Sequence, residues 1–302
     1  MNHKLVIIIA GPTASGKTSL AIELARHFQT AIISADSRQC FKEMNIGVAK
    51  PSAEQLQLVK HHFINSHSIQ NEVNASIFEH YALHAANAIF ESRDIAVMAG
   101  GTGLYLKAFC EGLDDIPAIP ALVRNMVETI FREQGIDELQ RQVQEKDPGY
   151  YASGEIQNPR RLMRALEVAM FSGKSIRDFQ RSKPAQRNFR ILKIGIQPAR
   201  EALYQQINNR VNIMMEQGLL SEVMGLIPYR ELNALQTVGY SELFDHLDGN
   251  LSLPEAVDRI KTNTRQYAKR QLTWFRKDPE MVWITNPGYQ EAMNIIRESA
   301  KI

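Results

Sequence analysis

LVIIIAGPTASGKT, residues Leu5–Thr18, joins an apolar run to a turn bounded by Gly11 and Gly16. The turn matches G-x-x-x-x-G-K-[ST] in full, and it sits where that pattern has mechanical sense, between a strand-like run and a helix start. Glycines let such a backbone curl until several N–H groups face one anion, and the helix N-terminus adds partial positive charge. Gly11, Pro12, Thr13, Ala14, Ser15, Gly16, Lys17 and Thr18 are therefore candidate phosphate-binding residues. Lys17 would reach terminal phosphate oxygens, and the Thr18 hydroxyl would ligate Mg²⁺, the expected cofactor. The pattern identifies a phosphate group and leaves open which compound carries it.

Outward from this loop, strands and helices alternate. Lys17–Phe28 places Leu20, Ala21, Leu24, Ala25 and Phe28 on one helical stripe. Ala31–Ala35 reads as a second strand, ending at Asp36-Ser37, and Ala75–Arg93 as an amphipathic helix. Ile95–Ala99 reads as a third strand, before Gly100-Gly101-Thr102-Gly103 and a helix to about Cys110. This repetition predicts a parallel sheet flanked by helices.

The texture changes at Asp114-Asp115-Ile116-Pro117. From there to about Arg190 the candidates are helical: Leu122–Gln134, Ile136–Lys146, Arg160–Phe171 and Ser175–Arg181. Strand character returns at Phe189–Ile196 and Met281–Thr285, with helices at Arg200–Gln217, Ser221–Ile227 and Pro254–Lys277. The expected architecture is an α/β, P-loop NTPase-like core over residues 1–116 and 190–302, interrupted by an all-helical insertion domain over 117–189.

Composition narrows the function classes. Of 302 residues, 44% are hydrophobic and 23% charged, which is the balance of a globular chain able to bury a core. The longest apolar run, Leu5–Ala10, is far short of the roughly 20 residues of a membrane helix and too short for a signal-peptide core. Cys40 and Cys110 form no metal-type spacing, so a reducing cytoplasm is expected and a zinc module is not. His61-His62 are adjacent, which does not suit a two-histidine metal site. A net charge of +2 means that any nucleic-acid role must come from local basic patches.

Asp36 is the acid at a strand end. In a parallel α/β sheet that position faces the ligand crevice, where a carboxylate can take a proton from an incoming nucleophile. Asp and Ser also commonly begin turns, so a purely local role is an equal alternative. A nucleotide hydrolase would usually carry a metal-binding acid after a further apolar strand, and Ile95–Ala99 ends in glycines instead.

More motifs follow in order: ADSRQ at Ala35–Gln39, GVAKP at Gly47–Pro51, HHF at His61–Phe63 and GGTGLY at Gly100–Tyr105. NPRRLMRALE at Asn158–Glu167, QTVGYSE at Gln236–Glu242 and TRQYAKRQLTWFR at Thr264–Arg276 complete the set. With GPTASGKT they resemble the tRNA dimethylallyltransferase family, the bacterial tRNA isopentenyltransferases, from residue 5 to about 285. The resemblance implies transfer of a dimethylallyl group from dimethylallyl diphosphate to N6 of the adenosine 3′ of the anticodon, in tRNAs reading codons that begin with U. It also implies that the loop holds a diphosphate leaving group, not ATP, whose charge N–H donors, Lys17 and Mg²⁺ would stabilise.

By the same resemblance Asp36 is the general base, Lys17 and Thr18 are catalytic, and Arg210 is a diphosphate contact. Thr13 and Ser15 would stand beside the diphosphate or the target base. Asp36, Ser37, Arg38 and Gln39 match a tRNA-contacting stretch, as do Gln157, Asn158, Pro159, Arg160 and Arg161, with Arg124 a further candidate. Thr102 matches a position near the target nucleotide, and it equally suits a helix N-cap.

A base inside a stacked loop must be splayed out before chemistry reaches it, which calls for a basic grip. Between Pro117 and Arg190 there are 13 Lys/Arg against 9 Asp/Glu, a surplus of four. The helix Pro254–Lys277 interleaves Tyr267, Trp274 and Phe275 with basic residues; packing is the expected role of those aromatics, and a phosphate track that of the charges. The expected partners are the tRNA anticodon stem-loop and dimethylallyl diphosphate, with no membrane and no obligate protein partner. The rival readings are an adenylate isopentenyltransferase acting on free nucleotide, a P-loop small-molecule kinase, and an RNA-binding protein that senses a phosphate ligand.

Overall fold

Leu5–Ala10, strand β1, is buried along its whole length, as an all-apolar strand covered on both faces should be. The computed structural model describes residues 3–180 and 183–300. It sets β1 in a six-stranded sheet with β2 (Ile32–Ala35), β3 (His61–His62), β4 (Ile95–Gly100), β5 (Arg190–Ile196) and β6 (Met281–Ile284). The order is β3-β2-β4-β1-β5-β6, with every pair parallel.

Helices α1 (Lys17–His27), α2 (Ala53–Leu58), α3 (Ala75–Phe90) and α4 (Gly103–Glu111) run between the first strands. Next come α5 (Ala121–Lys146), α6 (Pro148–Ser153) and α7 (Pro159–Ser172), then α8 (Arg200–Glu216), α9 (Leu219–Gly225), α10 (Tyr240–Leu247), α11 (Leu253–Phe275) and α12 (Tyr289–Ala300). Among the described residues no helix is long and apolar enough to cross a membrane.

Side chains alternate across a strand, and β1 feeds two cores. Val6, Ile8 and Ala10 pack with Phe78, Ala82 and Ile89 of α3, Tyr105 and Phe109 of α4, and Ile260 and Phe275 of α11. Leu5, Ile7 and Ile9 pack with Leu20, Ala21 and Leu24 of α1 and with Ala292, Met293 and Ile296 of α12. α2, α6, α10, α12 and the two-residue edge strand β3 lie outside the elements expected from the sequence. His61 and His62 are half-buried in that strand, and the His61 Nδ1 lies 2.8 Å from the Val59 carbonyl.

Strand register positions the functional loops. Ala10, Ala35, Gly100 and Gly195 are level across the sheet. The segments that follow β1, β2 and β4 therefore leave one edge together, bringing Gly11, Asp36 and Gly101 to a common crevice at the strand carboxyl ends.

The chain divides into two compact units, Met1–Glu111 with Gln186–Ile302, and Gly112–Ala185. The second is all-helical, around Val127, Leu139, Val143, Leu162 and Leu166. Gly135 breaks α5 with φ 76° and ψ −166°, at the point between the two expected helices Leu122–Gln134 and Ile136–Lys146. Asp147 caps α6, accepting from Tyr150 N–H at 2.9 Å, and Pro148 opens that helix. A 3₁₀ turn at Ile176–Phe179 replaces the expected helix Ser175–Arg181; Arg181 lies outside the described residues.

Candidate functional site

The phosphate loop curls through two left-handed residues, Ala14 at φ 63° and Gly16 at φ 83°. That backbone suits glycine; for Ala14 it is strained by about 1–2 kcal/mol, the kind of strain that gathers at ligand loops. Gly16 is the N-cap of α1 and has no side chain to cap it, so the first N–H groups of the helix face the loop. The Ser15 Oγ is, among the described residues, the buried side-chain polar atom with no hydrogen-bond partner. Such an orphan inside a phosphate loop is placed to meet an anionic oxygen.

Two cations, Lys17 and Arg210, lie at this loop, and Arg38 stands beside Asp36. The Lys17 Nζ donates to the Pro12 carbonyl at 2.5 Å. Burial holds its ammonium down to about 7, the positive charge of Arg210 adds to that, and Asp36 opposes it. Arg210, half-buried on α8, donates through Nη1 to the Thr13 Oγ at 3.4 Å. Burial also lowers the Arg210 and Arg38 guanidinium groups below their ordinary value, with Asp36 again opposing. Arg210 thus lies at the loop, far from it though it is in sequence.

Asp36 follows β2, and its Oδ1 accepts from Arg38 N–H at 2.9 Å and Gln39 N–H at 3.3 Å. The local turn role and the crevice position are both real. Its charge acts on Lys17, Arg38 and Arg210, and also on Cys40, Tyr105 and Tyr267. Ser37 N–H donates to the Thr102 Oγ at 3.1 Å, so the Thr102 hydroxyl binds the Asp36 turn. The Thr102 carbonyl still opens α4, accepting from Tyr105 and Leu106 N–H. Cys40 is fully buried, and burial pushes its thiol up to about 12, which makes it an inert packing residue.

The remaining motifs shape the wall beside Asp36. Gln39 Nε2 donates to the Ala49 carbonyl at 3.0 Å. The Glu222 carboxylate accepts from the N–H groups of Asn45, Ile46 and Gly47 and from the Tyr240 hydroxyl. In QTVGYSE, Glu242 is buried and accepts from Gly239 N–H at 2.7 Å and Asn263 Nδ2 at 2.6 Å. GVAKP and QTVGYSE are therefore architecture around the site.

On α11, Phe275 is buried as expected, but Tyr267 and Trp274 are 37% and 39% exposed, against the expected packing role. The Tyr267 hydroxyl end lies beside Thr102, and burial there pushes it up to about 12. Gln271, which sequence reasoning did not single out, is buried beside them. Its Oε1 accepts from Thr13 N–H at 2.9 Å, and its Nε2 donates to the Gly101 carbonyl at 2.9 Å.

The fold therefore brings Gly11–Thr18, Asp36–Gln39, Thr102 and Arg210 together. Arg124, Gln157, Asn158, Pro159, Arg160 and Arg161 belong to the second unit. There Asn158 caps α7, accepting from Arg161 N–H at 3.4 Å, and Pro159 occupies the first turn. Arg161 pairs with Glu155 at 2.5 Å, while Arg124, Gln157 and Arg160 are exposed.

Among the described residues no three His, Cys, Asp or Glu side chains converge as a metal cage. The donors present are the Thr18 hydroxyl and the oxygens a bound phosphate would bring, a set that fits Mg²⁺, which is commonly held through substrate phosphates.

A family profile described as IPP transferase matches residues 39–278. The chain is 49% identical over 283 residues to a tRNA dimethylallyltransferase of Christiangramia forsetii, covering 94% of this chain and 93% of that one. It is 46% identical to a tRNA dimethylallyltransferase of Flavobacterium johnsoniae, covering 99% of each. The fold matches the crystal structure of a tRNA isopentenylpyrophosphate transferase from Bacillus halodurans with TM-score 0.72 and 34% identity, covering 99% of this chain and 97% of that one. It also matches a eukaryotic dimethylallyltransferase, captured acting on tRNA, with TM-score 0.83 and 26% identity, covering 99% of this chain and 80% of that one.

Proposed function

The chain belongs to the IPP transferase family and transfers a dimethylallyl group to tRNA, and from that premise we propose that the crevice holding Asp36, Lys17 and Arg210 is where the transfer occurs. The observation that carries this reading is the convergence of Lys17 and Arg210 on an anion-binding loop beside the Asp36 carboxylate. Dimethylallyl diphosphate would place its diphosphate on the loop N–H groups, the Ser15 hydroxyl, Lys17 and Arg210. The accepting base would enter beside Asp36, Ser37, Arg38 and Thr102.

In the reaction, the exocyclic nitrogen N6 of the adenosine 3′ of the anticodon forms a bond to the allylic carbon. The allylic C–O bond breaks, and diphosphate leaves with the electron pair. Asp36 takes the proton that N6 loses. Lys17, Arg210 and the oriented N–H groups stabilise charge that grows on the leaving oxygens. Mg²⁺, when bound, supplies charge neutralisation on the diphosphate, and Thr18 is the residue that would hold it.

The second unit supplies RNA contacts in this reading. Arg160 and Arg161 stand in the first turn of α7, at the positive end of the helix dipole. An external phosphate would relieve that unfavourable placement. The expected RNA partner is the anticodon stem-loop, met in the cytoplasm.

Two arms test the proposal. Arg160→Glu is expected to weaken stem-loop binding several-fold and lower the slope of log affinity against log salt by about one; an unchanged affinity and slope would remove the RNA role of this turn. Dimethylallyl diphosphate is expected to compete with inorganic diphosphate for the loop. Turnover of ATP in its place would move the reading to a kinase.

A further inference from the structure

α11 meets the Gly101-Thr102-Gly103 turn residue by residue. Tyr267, Gln271 and Trp274 are spaced by four and three, so they share one face of the helix. The Tyr267 hydroxyl end lies beside Thr102, and Gln271 donates to the Gly101 carbonyl. The Trp274 indole lies against Gly103, where a Cβ would fall 2.2 Å from its Cδ1. A Cβ on Gly101 would fall 2.3 Å from the Gln271 Nε2. The helix packed on this turn thus requires both glycines.

Gln271 reaches further, because its other amide atom takes the Thr13 N–H of the phosphate loop. The amide is 7% exposed and bridges two backbone groups that would otherwise be left unsatisfied. On the far side, Thr102 N–H donates to the Ala35 carbonyl at 3.2 Å, and the Thr102 Oγ accepts from Ser37 N–H. A continuous set of bonds therefore runs from the phosphate loop through Gln271 and the Gly101-Thr102 turn to the two residues flanking Asp36.

We infer that Gln271 is a positioning residue for prenyl transfer, fixing the separation between the diphosphate side of the site and the acceptor side. The inference rests on the proposed assignment of those two sides. Displacement at the allylic carbon needs the attacking nitrogen and the leaving oxygen held roughly opposed. Loosening that spacing lowers the rate without removing a contact to either substrate.

Gln271→Met keeps the volume and removes both bonds; Gln271→Asn stays polar but is one methylene too short to hold both partners. For each, kcat and KM are measured with dimethylallyl diphosphate and an anticodon stem-loop, and affinity for inorganic diphosphate is measured by calorimetry. The expected result is a loss in kcat of roughly ten- to a hundred-fold, with KM and diphosphate affinity within about three-fold of wild type. Wild-type kcat in either folded variant, or a loss of diphosphate affinity as large as the loss in kcat, overturns the inference. Wild-type protein that transfers nothing to the stem-loop fails earlier, at the proposed function, and takes this inference with it.

Discussion

Asp36→Asn is expected to lower kcat by on the order of 10²–10⁴-fold while leaving diphosphate affinity unchanged or slightly stronger. Asparagine retains an oxygen that can accept from Arg38 and Gln39 N–H, so the turn after β2 survives. What it loses is a proton acceptor and a negative charge. The charge matters separately, because Asp36 is the anion opposing the burial effect on Lys17, Arg38 and Arg210. Removing it takes a negative charge from beside the loop, which favours an anionic ligand, and lets the Lys17 value fall further, which offsets part of that gain. Single-turnover rates and diphosphate calorimetry read the two effects apart. A variant with wild-type rate would deny Asp36 its role, and one with collapsed diphosphate affinity would make it a structural residue of the loop.

Lys17→Ala is expected to reduce kcat/KM by on the order of 10²–10³-fold and to abolish a proton uptake that accompanies diphosphate binding. In the unliganded protein, burial and Arg210 hold the Lys17 ammonium to about 7. A diphosphate beside it favours the charged form and raises that value. Between the two values the complex carries a proton that the free protein lacks, so binding takes one up and weakens as pH rises above about 7. Below that window Lys17 is charged in both states and the dependence vanishes. Calorimetry with inorganic diphosphate, without divalent cations and in buffers of different ionisation heat, measures the uptake. Subtracting the Lys17→Ala result removes the titration of diphosphate itself. Equal uptake in the variant and wild type would place the proton elsewhere.

Local pattern made the phosphate loop legible: an apolar strand, a glycine-bounded turn and a helix start are adjacent in sequence, and each requires the next. Asp36 was legible as an acid at a strand end, though no spacing could say that it would share its crevice with Arg210. Strand register made that union, by setting Ala10, Ala35 and Gly100 level. β3 escaped because two residues carry no alternation. α12 escaped because its buried stripe, Ala292, Met293 and Ile296, is short and follows the last strand.

Gln271 was illegible for a different reason. Its partners lie 258 and 170 residues away, and nothing local distinguishes it from the other polar residues of α11. Tyr267 and Trp274 were expected to pack because aromatic stripes usually do. Here the side chains spaced with them meet a turn of glycines at the edge of the crevice, which leaves the rings partly open.

The central claim is that this crevice joins a dimethylallyl group to an RNA adenosine. Its most direct test is transfer of label from dimethylallyl diphosphate, with Mg²⁺, to an unmodified anticodon stem-loop, beside a stem-loop with guanosine at the accepting position and beside free AMP. The predicted result is label on the adenosine-bearing stem-loop alone. Label on AMP but not on RNA, or ATP consumed with no label transferred, would contradict the account.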